Sequence, residues 1–218
     1  MDRKAFFQRI KSSGHGAVLA EEGLGVTPDV QGKKTLNRRT NTGTSAYMGT
    51  FGKAELMHLL RRTLFGVKVS DYNLYKGKTL EQVVDALLNV SSSLPNPPLN
   101  NYGNLVNDPN VPYGSTWVNA ALDPAVEPYR KGSVKSWFWG QMLTQTPDIQ
   151  AKMVLFWHNH FALQFLEIPD ARACYVYSKV LYTHALGNLK DLTRAVTIDP
   201  AMLFYLNGRL NTQKAPVE

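Results

Sequence analysis

One cysteine, Cys174, is all the sulfur chemistry that 218 residues offer. An intrachain disulfide is excluded, and the redox compartment cannot be read from a lone thiol. Its neighbours Ala173 and Tyr175 sit in a helical pattern, so a buried, inert thiol is expected. Apolar runs are short, and none reaches the roughly eighteen residues that a membrane-spanning helix needs. Sustained strand-type alternation is missing too. So are a glycine-rich phosphate loop, a Gly-x-Ser-x-Gly elbow and a His-Glu-x-x-His helix, which removes the simplest readings as a nucleotide hydrolase, a serine hydrolase or a zinc protease. Excess charge is absent from most of the chain. The net charge is +7, from 24 basic and 17 acidic residues, and residues 1–62 carry +6 of it, which leaves the remaining 156 residues close to neutral. A basic face for nucleic acid is therefore not expected. Contiguous His158-Asn159-His160 does not suggest an HNH nuclease, because those nucleases spread the three residues over a strand–helix motif that this sequence lacks.

What is present is a helical chain of ordinary globular composition, 44% apolar and 19% charged. Residues 1–50 are rich in Gly, Thr, Ser and Asn and are expected as a flexible basic arm. Arg3-Lys4 before Phe6-Phe7 faintly suggests a twin-arginine export signal, but the apolar region such a signal needs is not there; a short amphipathic helix is the plainer expectation. A helical domain is expected over 51–218. It opens with Leu56, Leu59, Leu60 and Leu64 in one stripe and Gly66 as a stop. Ser70 is placed to cap a short helix, and Thr79 with Gln82 forms a capping box before Leu80, Val83, Val84, Leu87 and Leu88.

Residues 91–130 break this pattern with seven prolines and seven asparagines. A connection this long is far beyond the usual roughly four to six residues. It reads either as a partner-binding or lid segment or as a wrapped insertion pinned by Tyr102, Tyr113, Trp117 and Tyr129. Ser133 is a candidate cap for the next helix, which carries Trp137-Phe138-Trp139, expected as core on one side and partly covered surface on the other. Thr146-Pro147-Asp148 has the composition of a helix start, and Ile149, Met153, Phe156, Trp157 and His160 then share one face, making 146–161 the expected core helix. Asp170, Asn188 and Asp199-Pro200 begin three more helices. The fold class is all-α, an irregular bundle of about eight helices with one long Pro/Asn-rich loop.

Candidate chemistry gathers around His158, His160 and His184, with Asp199 or Glu218 in support. Three readings stand side by side. In the first, the histidines are structural, with His160 buried and bonded and His158 capping its helix end. In the second, His158 and His160 hold a divalent metal; this requires the helix to unwind, because positions i and i+2 of a regular helix lie about 200° apart. In the third, the histidines act as acid–base groups without metal. Arg61 and Arg62, in the last turn of the first helix, are candidates for binding a carboxylate or phosphate, or for pairing with Asp71 or Asp85.

Several segments together resemble a family. His58-Leu59-Leu60-Arg61-Arg62 with Phe65-Gly66 is similar to the opening signature of the bacterial family called domain of unknown function 1800. Lys152-Met153 through Leu155-Phe156-Trp157-His158-Asn159-His160-Phe161 resembles its central motif. His184-Ala185-Leu186-Gly187-Asn188, then Asp199 to Leu203, Tyr205-Leu206 and Asn207-Gly208, resemble a third block, and Ala215-Pro216 with Glu218 the start of a fourth. The resemblance implies a helical fold, an exported or periplasmic protein and no known reaction. It also implies that members continue into a further helical half, so this chain is expected to be an N-terminal portion with an apolar face open to self-association or to that half. Two functions follow as expectations: a scaffold or binding module whose loop and basic arm engage a protein partner, or an exported hydrolase-like enzyme with a His-centred site.

Overall fold

A computed structural model describes residues 47–91 and 93–211. The chain divides into two compact units, Met1–Tyr47 and Met48–Glu218, and all that follows concerns the second. Most of the expected N-terminal arm, and Glu218 with its neighbours, lie outside the described residues. Among the described residues there are eight α-helices and no strands: α1 Lys53–Thr63, α2 Val69–Tyr75, α3 Leu80–Leu88, α4 Glu127–Leu143, α5 Gln150–His160, α6 Ala171–His184, α7 Leu189–Thr197 and α8 Pro200–Tyr205, with short 3-10 turns at Phe165–Glu167 and Gly208–Leu210. The all-α expectation holds. No helix among them is long and apolar enough to cross a membrane.

The caps explain many of the boundaries. Thr79 and Gln82 form the reciprocal box that starts α3. Asp170, Asn188 and Asp199 each accept from backbone N–H groups in the first turn of α6, α7 and α8. After α8 the chain reverses at Asn207, which takes the left-handed conformation (φ 58°) that asparagine tolerates.

Three helix starts differ from the sequence reading. α2 begins at Val69, so Ser70, the expected cap, lies inside its first turn, and the Asp71 carboxylate accepts the Lys68 N–H (2.9 Å) there. α4 begins at Glu127, not at Ser133, because the Glu127 carboxylate is buried among partners that hold the first turn in place. Ser133 lies inside the helix and turns its hydroxyl to the Leu99 carbonyl (2.7 Å). α5 begins at Gln150, not at Pro147. The Pro147 carbonyl accepts the Tyr75 hydroxyl, and Asp148 caps from outside by accepting the Gln150 N–H (2.9 Å).

Two apolar clusters form the interior. Leu56, Leu60, Leu64, Tyr75, Val83 and Leu87 tie α1, α2 and α3 together. The larger cluster centres on α6, whose Cys174, Tyr177 and Leu181 are buried and which packs against α4, α5, α7 and α8. α6, rather than the 146–161 helix, is the element around which the others gather. Burial raises the Cys174 thiol to about 12, as befits an inert core thiol. The Ile149 N–H to Leu87 carbonyl bond (3.1 Å) and the Lys152 ammonium, which donates to the Leu64 carbonyl (3.3 Å), join α5 to the smaller cluster.

Between α3 and α4 the chain is irregular but closely bonded. Leu99 and Thr116 form an isolated antiparallel bridge. Buried Asn100 donates from its backbone to Ser115 O (2.8 Å), accepts from Gly114 N–H (2.9 Å), and donates from its side chain to Val111 O (2.9 Å). Tyr102 and Trp117 are buried, and Tyr129 packs against the core. Tyr113 is not a pin: it is 72% exposed, its ring lying over Gly103, where a Cβ would come within 2.8 Å of it.

Candidate functional site

The histidine-bearing end of α5 shows which face the fold selected. Ala151 and Val154 are buried, His158 continues the same side, Phe156 is 54% exposed and His160 is exposed. The expected face of Ile149, Met153, Phe156, Trp157 and His160 is therefore not the buried one. α5 is apolar on most of its circumference, so periodicity could not choose; α6, packing on the 151–154–158 side, did.

His158 sits in an aromatic cage, its ring centroid 5.1 Å from Phe138, 5.8 Å from Phe165 and 5.9 Å from Tyr177. Its Nδ1 is buried and has no hydrogen-bond partner, and burial lowers its pKa from 6.5. The structural expectation for the pair is thus reversed: His158 is the inward residue, and His160 lies outside against Trp157 (5.9 Å) and Phe161 (4.8 Å). His184 ends α6, half-buried, one residue before Ala185, whose carbonyl accepts the Trp157 Nε1–H (2.9 Å). α5 stays helical through His160, closed by Phe161 N–H to Trp157 O (2.8 Å), so His158 and His160 point about 200° apart. Among the described residues no group of three or more His, Cys, Asp or Glu side chains is placed to hold a metal ion.

A linkage prediction follows from the cage. The folded His158 holds its proton less tightly than the unfolded one, so the unfolded state binds more protons as pH falls below 6.5. His158 thus contributes stability that is complete above pH 6.5 and is lost as pH falls through its lower folded pKa, with a slope of at most about 1.4 kcal/mol per pH unit. Urea unfolding between pH 7.5 and 5 should show this slope in wild type and lose it in His158→Leu. Equal slopes in the two proteins would mean that the imidazole is solvated in the fold.

Asp199 acts electrostatically on Tyr177. It is buried; Oδ1 accepts from Ala201 N–H (2.9 Å) and Met202 N–H (3.2 Å), while Oδ2 has no partner. Burial raises its pKa in spite of the two amides. The Tyr177 hydroxyl donates to Phe161 O (2.5 Å), and burial, then the field of Asp199, raise its pKa. Burial thus acts on each of His158, Tyr177 and Asp199 in the direction that disfavours its charged form. Arg61 and Arg62 are exposed at the end of α1 and pair with neither Asp71 nor Asp85; the ion pairs among the described residues lie elsewhere.

Those ion pairs were missed by the sequence reading. Arg130 is fully buried and forks onto Asp108, Nε to Oδ2 at 3.0 Å and Nη2 to Oδ1 at 3.1 Å, while Nη1 reaches Glu127 (3.2 Å) and Ala121 O (2.8 Å). Glu127 uses its other oxygen to accept Ala171 N–H (2.7 Å) at the start of α6. Tyr102 adds its hydroxyl to Asp108 (2.9 Å). Burial would raise the Asp108 pKa, but Arg130 and Tyr102 outweigh it and hold the carboxyl below 3.8; burial and Asp108 push Tyr102 to about 12. Only the i, i+3 spacing of Glu127 and Arg130 signalled this in sequence; Asp108, 22 residues away, carried no signal.

The placement of the signature segments is now clear: His58 to Gly66 on α1 and its exit, the histidine motif on α5, and His184 to Gly208 across the turns joining α6, α7 and α8. Searches of curated proteins and of solved structures return no match. A family model described as "Protein of unknown function (DUF1800)" matches residues 58–218. That match spans well over half of the chain, and the chain belongs to this family.

Proposed function

We propose that this protein is a binding scaffold and that the loop between α3 and α4 is its contact surface, with a second copy of the chain as the partner. The observation that carries the reading is the contrast within one segment. Its inner side is fixed by Asn100, Trp117 and the Asp108–Arg130 pair, while Leu105 (69% exposed) and Tyr113 face solvent. A loop ordered this firmly loses little further entropy on binding, and an exposed aromatic side chain is a common interface anchor. Near-neutral charge over residues 63–218 opposes self-contact only weakly.

Sedimentation equilibrium tests this. Wild type should associate reversibly at tens of micromolar, and Leu105→Ser with Tyr113→Ser should shift the dissociation constant by at least about tenfold, or roughly 1.4 kcal/mol. A monomeric wild type at ~100 µM, or a double variant that associates as wild type does, would remove the proposal.

A second reading keeps His158, His160 and His184 as the acid–base or metal-binding groups of an exported hydrolase. It draws support from the unpartnered His158 Nδ1, on a ring 5.9 Å from that of Tyr177, and from the unpartnered Asp199 Oδ2, whose carboxylate also acts on Tyr177. Stoichiometric divalent metal in the purified protein, lost on His158→Ala and on His160→Ala, would carry that reading instead.

A further inference from the structure

Three lysines line one hollow of ≈ 260 Å³ where α1 and α2 meet the turn into α3. Lys53 opens α1, and Lys76 and Lys78 follow α2 on either side of Gly77. The turn between them needs Gly77, whose φ of 81° disfavours a residue with a Cβ. Phe51 and Tyr72, both half-buried, are the aromatic part of the lining. The Lys53 ammonium stands 5.8 Å from the Tyr72 ring centroid, and the Lys78 ammonium 5.3 Å from that of Tyr75. Lys53 and Lys76 are exposed and Lys78 is half-buried, so a solute reaches all three from solvent.

What these lysines lack is a counter-charge. The ion pairs among the described residues are made by Arg130 and Arg172, and none includes Lys53, Lys76 or Lys78. Glu55 stands at the rim, where its Oε2 accepts the Gly52 N–H (3.0 Å), and it offsets one of the three charges. Like charges held around one hollow repel each other and concentrate anions there. The positive end of the α1 dipole adds to the same field, because Gly52 and Lys53 begin that helix.

We propose that this hollow binds a phosphomonoester group, with Lys53, Lys76 and Lys78 as its donors. A phosphoryl group carries close to two negative charges and three acceptor oxygens, which matches the excess charge and the number of ammonium groups. A carboxylate brings half that charge, and its planar fork suits arginine better than lysine. The volume lies below the roughly 300–1,000 Å³ of drug-sized pockets, so it suits one phosphoryl group with a short carbon skeleton against Phe51 and Tyr72. The hollow is at the opposite end of α1 from Arg61 and Arg62. It shares no lining residue with the Leu105–Tyr113 face, and neither proposal depends on the other.

A phosphomonoester is either a free solute or a lipid headgroup, and two arms separate these sources. In the first, the whole chain is titrated with glycerol 3-phosphate, with glycerol as the uncharged comparison, by ligand-observed NMR. In the second, it is sedimented with phosphatidylcholine vesicles that contain phosphatidic acid or, at equal surface charge, phosphatidylglycerol. Saturation by glycerol 3-phosphate at or below about 5 mM, without saturation by glycerol, supports the site as one for a soluble ligand. Sedimentation with phosphatidic acid but not with phosphatidylglycerol supports it as a headgroup site. In either arm Lys53→Gln, Lys76→Gln and Lys78→Gln should each weaken binding about fivefold, and the triple variant should abolish it. Lys190→Gln, exposed on α7, should bind as wild type does. The three hollow lysines lie outside both apolar clusters, so each single variant should keep the wild-type circular dichroism spectrum. The proposal is overturned if neither source binds, if the triple variant binds as wild type does, or if Lys190→Gln weakens binding as much as the hollow variants, which would show only diffuse attraction to a basic chain.

Discussion

Arg130→Ala is expected to destabilise the protein by about 3–5 kcal/mol, the usual cost of removing one partner from a buried ion pair. The residue is fully buried, and both carboxylates it serves are buried with it. Alanine would leave Asp108 with a Tyr102 hydroxyl and the Asn110 N–H (3.1 Å) in place of a guanidinium fork, and Glu127 with only the Ala171 N–H on its other oxygen. The Ala121 carbonyl would lose its donor as well. Because these contacts tie the long loop to α4 and α4 to α6, the loss should be global rather than a local fraying. Urea unfolding followed by circular dichroism measures it. Adding Asp108→Asn should recover part of the loss, since the worst species is the unpaired buried charge and not the missing attraction. If Arg130→Ala costs less than about 1 kcal/mol, water must reach the cluster and the pairing is a surface interaction in disguise.

Trp117→Ala is expected to cost about 3–5 kcal/mol by a different mechanism, the cavity left when a large ring is deleted from a packed site. Trp117 has no exposed surface, and its Nε1–H bonds to Ser133 Oγ (3.2 Å), which itself donates to Leu99 O. The ring therefore fills volume between the loop and α4 and also sets the direction of the Ser133 hydroxyl. For a chain of this size the corresponding drop in melting temperature is on the order of 6–20 °C. Limited proteolysis should add cleavage between residues 93 and 126 relative to wild type. Trp117→Phe should keep most of the packing and lose less. An alanine variant with wild-type melting and wild-type protease resistance would mean that the loop is held by Asn100 and Arg130 without the ring.

The sequence marked Trp117 as a pin of the loop but not its Ser133 partner, and it did not mark Arg130 at all; the reason is physical. Capping is local: Thr79, Asp170, Asn188 and Asp199 each act within three residues, so their roles could be read directly. The apolar stripes of α1 and α3 were equally clear, because their other faces are polar. α5 has no such contrast. With apolar side chains almost all round, its periodicity could not choose between the His158 face and the His160 face. α4 misled for a related reason. Ser133 has the chemistry of an N-cap, yet a carboxylate at Glu127 bonded to Arg130 and Ala171 extends the helix back past it.

The sequence by itself determined the helical class, most caps and the family signatures, because each depends on residues a few positions apart. Tertiary structure alone decided that His158 turns inward and His160 outward, that Arg130 meets Asp108 across 22 residues, and that α6 is the helix against which α4, α5, α7 and α8 pack. Each of these depends on which surface a distant segment covers, and covering is set by the free energy of packing the whole chain, which no local pattern encodes.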